Sequence, residues 1–250
     1  MKNSIAFVPT MGALHDGHVA LIERAREVSS TVVVSIFVNP LQFENPDDLA
    51  KYPRDLTRDR KIALDAGATK VWAPSYEEIY PGEVVKQSSG QLGTLFEGAE
   101  RLGHFDGVLT VIKRLFELVK PDYAIFGEKD FQQLFIIKRW VIQNQIPVEI
   151  IAVPTIRGAG GVALSSRNVR LSPADLLAAQ VINKALCSKN KVEMRKVLTS
   201  EPKFKLDYAE LIDEETFGPV TEKTNITRGI IAGWISGVRL IDNMRMEVGQ

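Results

Sequence analysis

Ser4-Ile-Ala-Phe-Val-Pro-Thr-Met-Gly-Ala-Leu-His-Asp-Gly-His-Val-Ala-Leu-Ile-Glu-Arg-Ala-Arg-Glu-Val28, followed by Thr31-Val-Val-Val-Ser-Ile-Phe-Val38, decides the fold. The β-branched runs Ser4–Val8 and Thr31–Val38 read as strands, and the stretch near Gly17–Val28 between them reads as a helix. A polar helical region follows from about Asp47 to Ala66, with Gly67 as its C-cap and Lys70–Trp72 as the next short strand. This βαβα rhythm predicts a parallel sheet. It resumes with an amphipathic Gly107–Val119, a buried-type strand at Tyr123–Phe126, a helix over Lys129–Gln143 and an apolar strand at Val148–Val153. The expected architecture is α/β, a Rossmann-like parallel sheet with helices on both faces, occupying residues 1–170.

At Ser172-Pro-Ala-Asp175 the pattern changes. Ser172 suits an N-cap and Pro173 the first helical position. Helices are expected over Ala174–Cys187 and Val192–Thr199, then strands at Asp207–Ile212, Ile226–Ile235 and Val238–Asp242. With no helix-length segment between these strands, residues 171–250 predict a small α+β lid domain with an antiparallel sheet.

Lys plus Arg and Asp plus Glu both number 31, so no global field favours nucleic acid or an anionic membrane. The single cysteine, Cys187, cannot form an internal disulfide and reads as a buried small hydrophobe within a helix, not a nucleophile; without a Cys/His cluster a structural zinc has no ligand set. A reducing compartment fits. Residues 1–8 are too short for a signal peptide, and no apolar stretch approaches the ~20 residues of a membrane span. The expectation is a cytoplasmic protein with small-molecule partners.

His15 and His18 stand three residues apart directly after the first strand. A strand-to-helix junction offers unpaired backbone N–H groups and a positive helix end, which suit phosphate, and side chains at i and i+3 share a helix face. Gly12 and Gly17 allow close backbone approach. The spacing is not a Walker A loop. The plain alternative is a pair of capped loop histidines; a metal site is disfavoured because HDGH has no other ligand nearby.

Phe126-Gly-Glu-Lys-Asp-Phe-Gln-Gln-Leu134 again ends a strand and starts a helix, where open sheets bind ligands. Lys129 is placed to neutralise phosphate, Asp130 to meet a ribose or a metal, and Gln133 to recognise a polar substrate, although a three-charge run alone is more often a solvated helix start. Ser165-Ser-Arg167 supplies hydroxyl and guanidinium donors for a triphosphate. Asn39-Pro-Leu-Gln-Phe43 closes the second strand with amides suited to a small polar substrate, or is simply a loop. Tyr52, Glu97, Arg101 and His104 are further polar candidates, each more often surface or core when judged singly.

In this order PTMGALHDGH, FVNPLQF, KYPR, HFDGVLTV, FGEKDFQQL and LSSRN resemble the pantothenate synthetase family, the pantoate to β-alanine ligases, and cover most of the chain. The resemblance implies membership of the nucleotidyltransferase superfamily, with HDGH and LSSRN flanking ATP. It implies an ATP site along Met11, Gly12, Ala13, Leu14, His15, Asp16, Gly17 and His18, then Gly127, Glu128, Lys129, Asp130, Ile156, Leu164, Ser165, Ser166 and Arg167. It makes His18 an acid at the phosphates, with His15, Lys129 and Arg167 sharing the charge. By the same resemblance Gln42 and Gln133 would hold pantoate, Gln42 would also lie near β-alanine, and Asn39, Tyr52, Arg101 and His104 would support the pocket. Mg²⁺, a homodimer and a pantoyl-adenylate intermediate are implied in the same way.

Several positions depart from the family pattern. Leu102 stands in place of proline, Leu164 in place of methionine, and Arg157-Gly-Ala-Gly-Gly-Val162 in place of a stretch like READGL, with loss of both acidic groups. The sequence also starts almost on the first strand, without the helical lead-in of many relatives, which is expected to bear on stability and not on chemistry. Competing readings are a transferase of the same superfamily with another acceptor, a class I synthetase fragment, and a non-catalytic ATP-binding module. The paired glutamines, the balanced charge and the joint presence of His15, His18, Lys129 and Arg167 weigh against them in turn.

Overall fold

The β-branched runs pair side by side. In the computed structural model, which describes residues 4–44, 46–188 and 190–246, strands β1 (Ile5–Thr10), β2 (Thr31–Ile36), β3 (Lys70–Trp72), β4 (Tyr123–Gly127) and β5 (Glu149–Val153) form a parallel sheet ordered β3-β2-β1-β4-β5. Side chains alternate across β1: Ala6 and Val8 pack with Ile22 and Ala25 of helix α1 (Asp16–Val28), while Phe7 meets Phe116 edge-on from a later helix. Both faces are therefore covered, which explains the near-continuous apolar strands. Of the sequence expectations, residues 1–3 and 247–250 lie outside the described residues.

The polar helical region expected over Asp47–Ala66 is two helices, α2 (Pro46–Ala50) and α3 (Leu56–Asp65). Pro53 and Asp55 divide them, since Asp55 accepts the Arg58 N–H at 2.9 Å and caps α3. Short helices α4 (Tyr76–Ile79) and α5 (Glu97–Glu100), not read from the sequence, precede α6 (His104–Val119). The helix expected from Lys129 opens as a tight turn over Glu128–Asp130 and becomes α7 only at Phe131–Gln143.

Contacts divide the described chain into two compact units, one comprising residues 4–127 and 132–154, the other 128–131 and 155–246. The second contains α8 (Pro173–Cys187), α9 (Lys191–Thr199) and the antiparallel sheet β6 (Lys205–Asp213), β7 (Thr227–Ile235) and β8 (Val238–Met246). Ile182, Leu186, Met194, Leu198 and Ile231 form its core, whereas Cys187, expected to be buried, is exposed because it is the last residue of α8. Ser236 and Gly237 both have positive φ (47° and 76°), as a two-residue hairpin turn requires. β8 runs four residues beyond the expected Asp242, because Asn243–Met246 pair with Ile230–Thr227. No helix among the described residues is long and apolar enough to cross a membrane.

The start of α8 carries a pH dependence. Ser172 Oγ accepts the Asp175 N–H and donates to the Asp175 carboxylate at 2.7 Å, and Lys203 Nζ adds a bond at 3.0 Å. The serine hydrogen bond first, then the lysine, holds the Asp175 carboxyl at about 2, below its ordinary 3.8. A depressed carboxyl stabilises the fold above its unfolded value and loses that contribution as pH falls through about 2. Thermal melts from pH 4 to 2 are expected to decline less steeply in Asp175→Asn than in the unsubstituted chain; parallel slopes would remove this group as a cause.

Candidate functional site

The switch in strand order lies between β1 and β4, and ligands of open sheets sit outside the carboxyl ends of strands at such a point. The segment Met11–His18 follows β1 there. Its backbone is closely determined: Gly12 N–H donates to Thr10 Oγ1 at 3.2 Å, and Ala13 and Leu14 N–H donate to the two carboxylate oxygens of Asp59 at 2.7 and 2.8 Å. The unpaired backbone donors expected at this junction are thus largely taken up inside the protein, a correction to the sequence reading.

The histidines cap α1 reciprocally. His15 Nδ1 accepts the Gly17 N–H at 3.1 Å, and His18 Nδ1 accepts the His15 N–H at 3.3 Å, a capping box with the rings 4.3 Å apart. Each Nδ1 therefore presents a lone pair, which leaves the proton of each neutral ring on Nε2. The plain alternative read from sequence, capped histidines, holds as geometry, and the cap gives both rings the tautomer that can donate to an anion.

Behind β2, the Asn39 side chain is 1% exposed and fully engaged: Oδ1 accepts Leu41 N–H and Tyr80 Oη–H, while Nδ2 donates to Gly107 O and Gln42 Oε1. Burial pushes the Tyr80 phenol up, so it remains a donor. With its amide used in this way, Asn39 orients Gln42. Gln42 Nε2 points to Met11 Sδ at 2.8 Å, a weak acceptor that a carboxylate or hydroxyl oxygen outcompetes.

The Gln42 carbonyl accepts from His104 Nδ1 at 2.8 Å and from Arg101 Nη2 at 3.3 Å, and Arg101 Nη1 donates to His104 Nε2 at 3.1 Å. Arginine can only donate, so His104 carries its proton on Nδ1. Tyr52 packs edge-on against Phe43, next to Gln42. A Cβ at Gly107 would lie 2.1 Å from Leu41 O, which explains the glycine inside α6. Gln133 is half-buried on α7, whereas its neighbour Gln132, passed over in the sequence reading, pins Leu92, Leu95 and Glu97 through their backbones.

Lys129 belongs to the second unit. Asn243 of β8 donates from Nδ2 to the carbonyls of Glu128 (2.8 Å) and Lys129 (2.9 Å), fixing the turn that carries the lysine. Arg228, 3% exposed, donates to Asn243 Oδ1 at 2.5 Å and to Glu214 at 3.0 Å, and lies 3.9 Å above the Phe131 ring. The Lys129 side chain is 21% exposed, with Asp130 3.4 Å from its ammonium.

In the same unit Ile156 and Leu164 are joined by a backbone bond, and the glycine-rich turn between them is positioned by Arg157, which pairs with Asp242 at 2.5 and 3.0 Å and donates to Gly161 O. Burial pushes the Asp242 carboxyl up against the pull of Arg157. A Cβ on Gly160 or Gly161 would collide with Gln180 or Asn183 of α8 at 2.2–2.3 Å, so Gly160, where READGL has an acidic residue, fits a turn packed on that helix. Ser165 Oγ caps the tight turn Ser166–Arg170 by accepting the Arg167 N–H.

Asp59, Gln132, Asn243 and Arg228 were not singled out in the sequence. A parallel sheet with imidazoles and amides at its carboxyl edge defines an α/β protein with a polar site where open sheets bind ligands. Residues 1–245 match the model of the family described as Pantoate-beta-alanine ligase. A pantothenate synthetase of Thermus thermophilus is 46% identical over 98% of this chain and 94% of that protein, and one of Acidothermus cellulolyticus is 45% identical over 99% and 87%. A solved Thermus thermophilus pantothenate synthetase superposes with a TM-score of 0.93 at 45% identity, covering 96% of this chain and 92% of that one. The Francisella tularensis pantoate-beta-alanine ligase, described as complexed with beta-gamma ATP and beta-alanine, gives 0.85 at 36% identity over 99% and 92%. The chain belongs to the pantoate-beta-alanine ligase family.

Proposed function

We propose that the chain joins (R)-pantoate to β-alanine at the expense of ATP, giving pantothenate, AMP and pyrophosphate through a pantoyl-adenylate. The observation that carries this reading is the reciprocal cap, which makes His15 and His18 Nε2–H donors directly after β1. In this proposal a pantoate carboxylate oxygen attacks the α-phosphorus and pyrophosphate leaves. The β-alanine amine then attacks the acyl carbon, loses a proton, and AMP leaves with the bridging oxygen.

ATP is assigned to Met11–His18, Gly127–Asp130, Ile156 and Leu164–Arg167. His18 donates a proton or hydrogen bond at the phosphates, and His15, Lys129 and Arg167 share the negative charge as it redistributes in the transition state. Gln42 turns from the Met11 thioether to pantoate and lies near β-alanine; Gln133 completes pantoate recognition, with Asn39, Arg101 and His104 holding Gln42 and Tyr52 flanking it. The catalytic region of this reading, 1–170, takes in the first part of the second unit.

Among the described residues no group of three His, Cys, Asp or Glu is arranged to hold a metal. In this reading Mg²⁺ would arrive on the triphosphate, which needs only one or two carboxylates from the protein, and Asp130 beside Lys129 would be the candidate. The ion supplies charge neutralisation on the phosphates. A homodimer in the cytoplasm completes the proposal.

The test is AMP release with ATP, Mg²⁺, pantoate and β-alanine, omitting each in turn. AMP is expected to accumulate only in the complete mixture, and pyrophosphate exchange into ATP to need pantoate but not β-alanine. AMP formed equally without pantoate, or never formed, defeats the assignment.

A further inference from the structure

We infer that Asp59 is the positioning residue of the loop that carries the two histidines, its carboxylate occupying the anion-binding concavity formed by the amides of Ala13 and Leu14. Successive backbone N–H groups in a left-handed turn form a concavity that binds anions. Gly12 has φ 80° and Ala13 φ 52°, and the amides of Ala13 and Leu14 converge on separate oxygens of Asp59. The carboxylate is 1% exposed, with Arg58 Nη1 3.6 Å from Oδ1. A Cβ at Gly12 would lie 2.8 Å from Oδ2, so the loop closes on Asp59 at a distance only glycine allows.

This arrangement divides the labour at the site. The Ala13 and Leu14 amides already serve a resident anion from α3, so ATP assigned along this loop would meet Ala13 and Leu14 through other atoms and its phosphates would rely on side chains. The loop instead presents the side chains of His15 and His18, whose places in the cap begin one residue beyond Leu14. Asp59 thus acts on the reaction through the histidines and not on the substrate. The assignment rests on the ligase reading only in giving the histidines their task; the loop geometry is independent of it.

Two variants test it, Asp59→Ala and the near-isosteric Asp59→Asn, with amide hydrogen exchange and pantoate-dependent ATP–pyrophosphate exchange measured on each. Asp59→Ala is expected to speed exchange at Ala13 and Leu14 by at least about tenfold while the buried amides of β1 stay protected, a selective opening of the kind local unfolding produces. The kcat of pyrophosphate exchange should fall roughly 10²-fold, by more than KM for ATP rises, since histidines displaced by about an ångström lose that much. Added formate, a carboxylate able to refill the concavity, should restore part of the protection and of kcat in Asp59→Ala; Asp59→Asn, with one acceptor left, should lie between.

Unchanged protection at Ala13 and Leu14 overturns the inference. So does protection lost throughout the unit in both variants, or kcat lost with no response to formate. The amide measurement needs no substrate, so it decides the loop's support even if the unsubstituted chain shows no pantoate-dependent exchange, the outcome that would instead sink the ligase reading.

Discussion

His18→Gln is expected to depress pantoate-dependent ATP–pyrophosphate exchange by roughly 10²- to 10³-fold while leaving the fold close to its original stability, the loss typical of one group that stabilises developing charge. The two effects separate because the proposed function gives His18 a second task, at a nitrogen other than the one that caps the helix. Its Nδ1 accepts the His15 N–H in the capping box of α1. Glutamine is at home at the third helical position of such a box and can accept that N–H through Oε1. It cannot supply the Nε2–H. His18→Ala removes both and should lose the same activity together with about 1 kcal/mol of cap stability. Calorimetry on the pair, set beside the exchange assay, separates the tasks; near-normal exchange in the glutamine variant would reduce His18 to a helix cap.

Lys129→Ala is expected to cost a comparable ~10²- to 10³-fold in the same exchange. Its effect on stability should stay within about 1 kcal/mol, since its ionic partner Asp130 is half exposed and such pairs contribute little. Arginine should recover only part of the rate, because a planar guanidinium on a turn built for a compact ammonium places its charge differently. The turn itself is held by Asn243, so Asn243→Ala, which strands the Glu128 and Lys129 carbonyls and removes one of the partners of Arg228, should combine a loss of stability of about 1–3 kcal/mol with a fall in exchange. A Lys129→Ala enzyme with near-normal exchange removes the lysine from the phosphate site.

The sheet was legible because parallel strands buried on both faces must be apolar runs, and Thr31–Ile36 and Tyr123–Gly127 are such runs bounded by polar junctions. The split near Pro53 was missed because the polar run hides the cap at Asp55. The histidine pair showed in the sequence through its spacing, but its tautomers depend on backbone donors that only the folded loop defines. Asp59 was hidden in Thr57-Arg-Asp-Arg-Lys61, which reads as a solvated charged face; the one clue is its position four residues before buried Ala63. Asn243 lay just beyond the expected end of β8, and Arg228 in a strand otherwise read as apolar, so the support of Lys129 from the far end of the chain left no local signature.

The most direct test of the chemistry follows the oxygen. With pantoate carrying a heavy-oxygen label in both carboxylate positions, complete turnover should place one labelled oxygen in AMP, keep the other in the pantothenate amide carbonyl, and leave pyrophosphate unlabelled. That distribution follows from carboxylate attack at the α-phosphorus and departure of AMP with the bridging oxygen. Label in pyrophosphate or inorganic phosphate, or AMP formed without label while pantothenate accumulates, would contradict the pantoyl-adenylate.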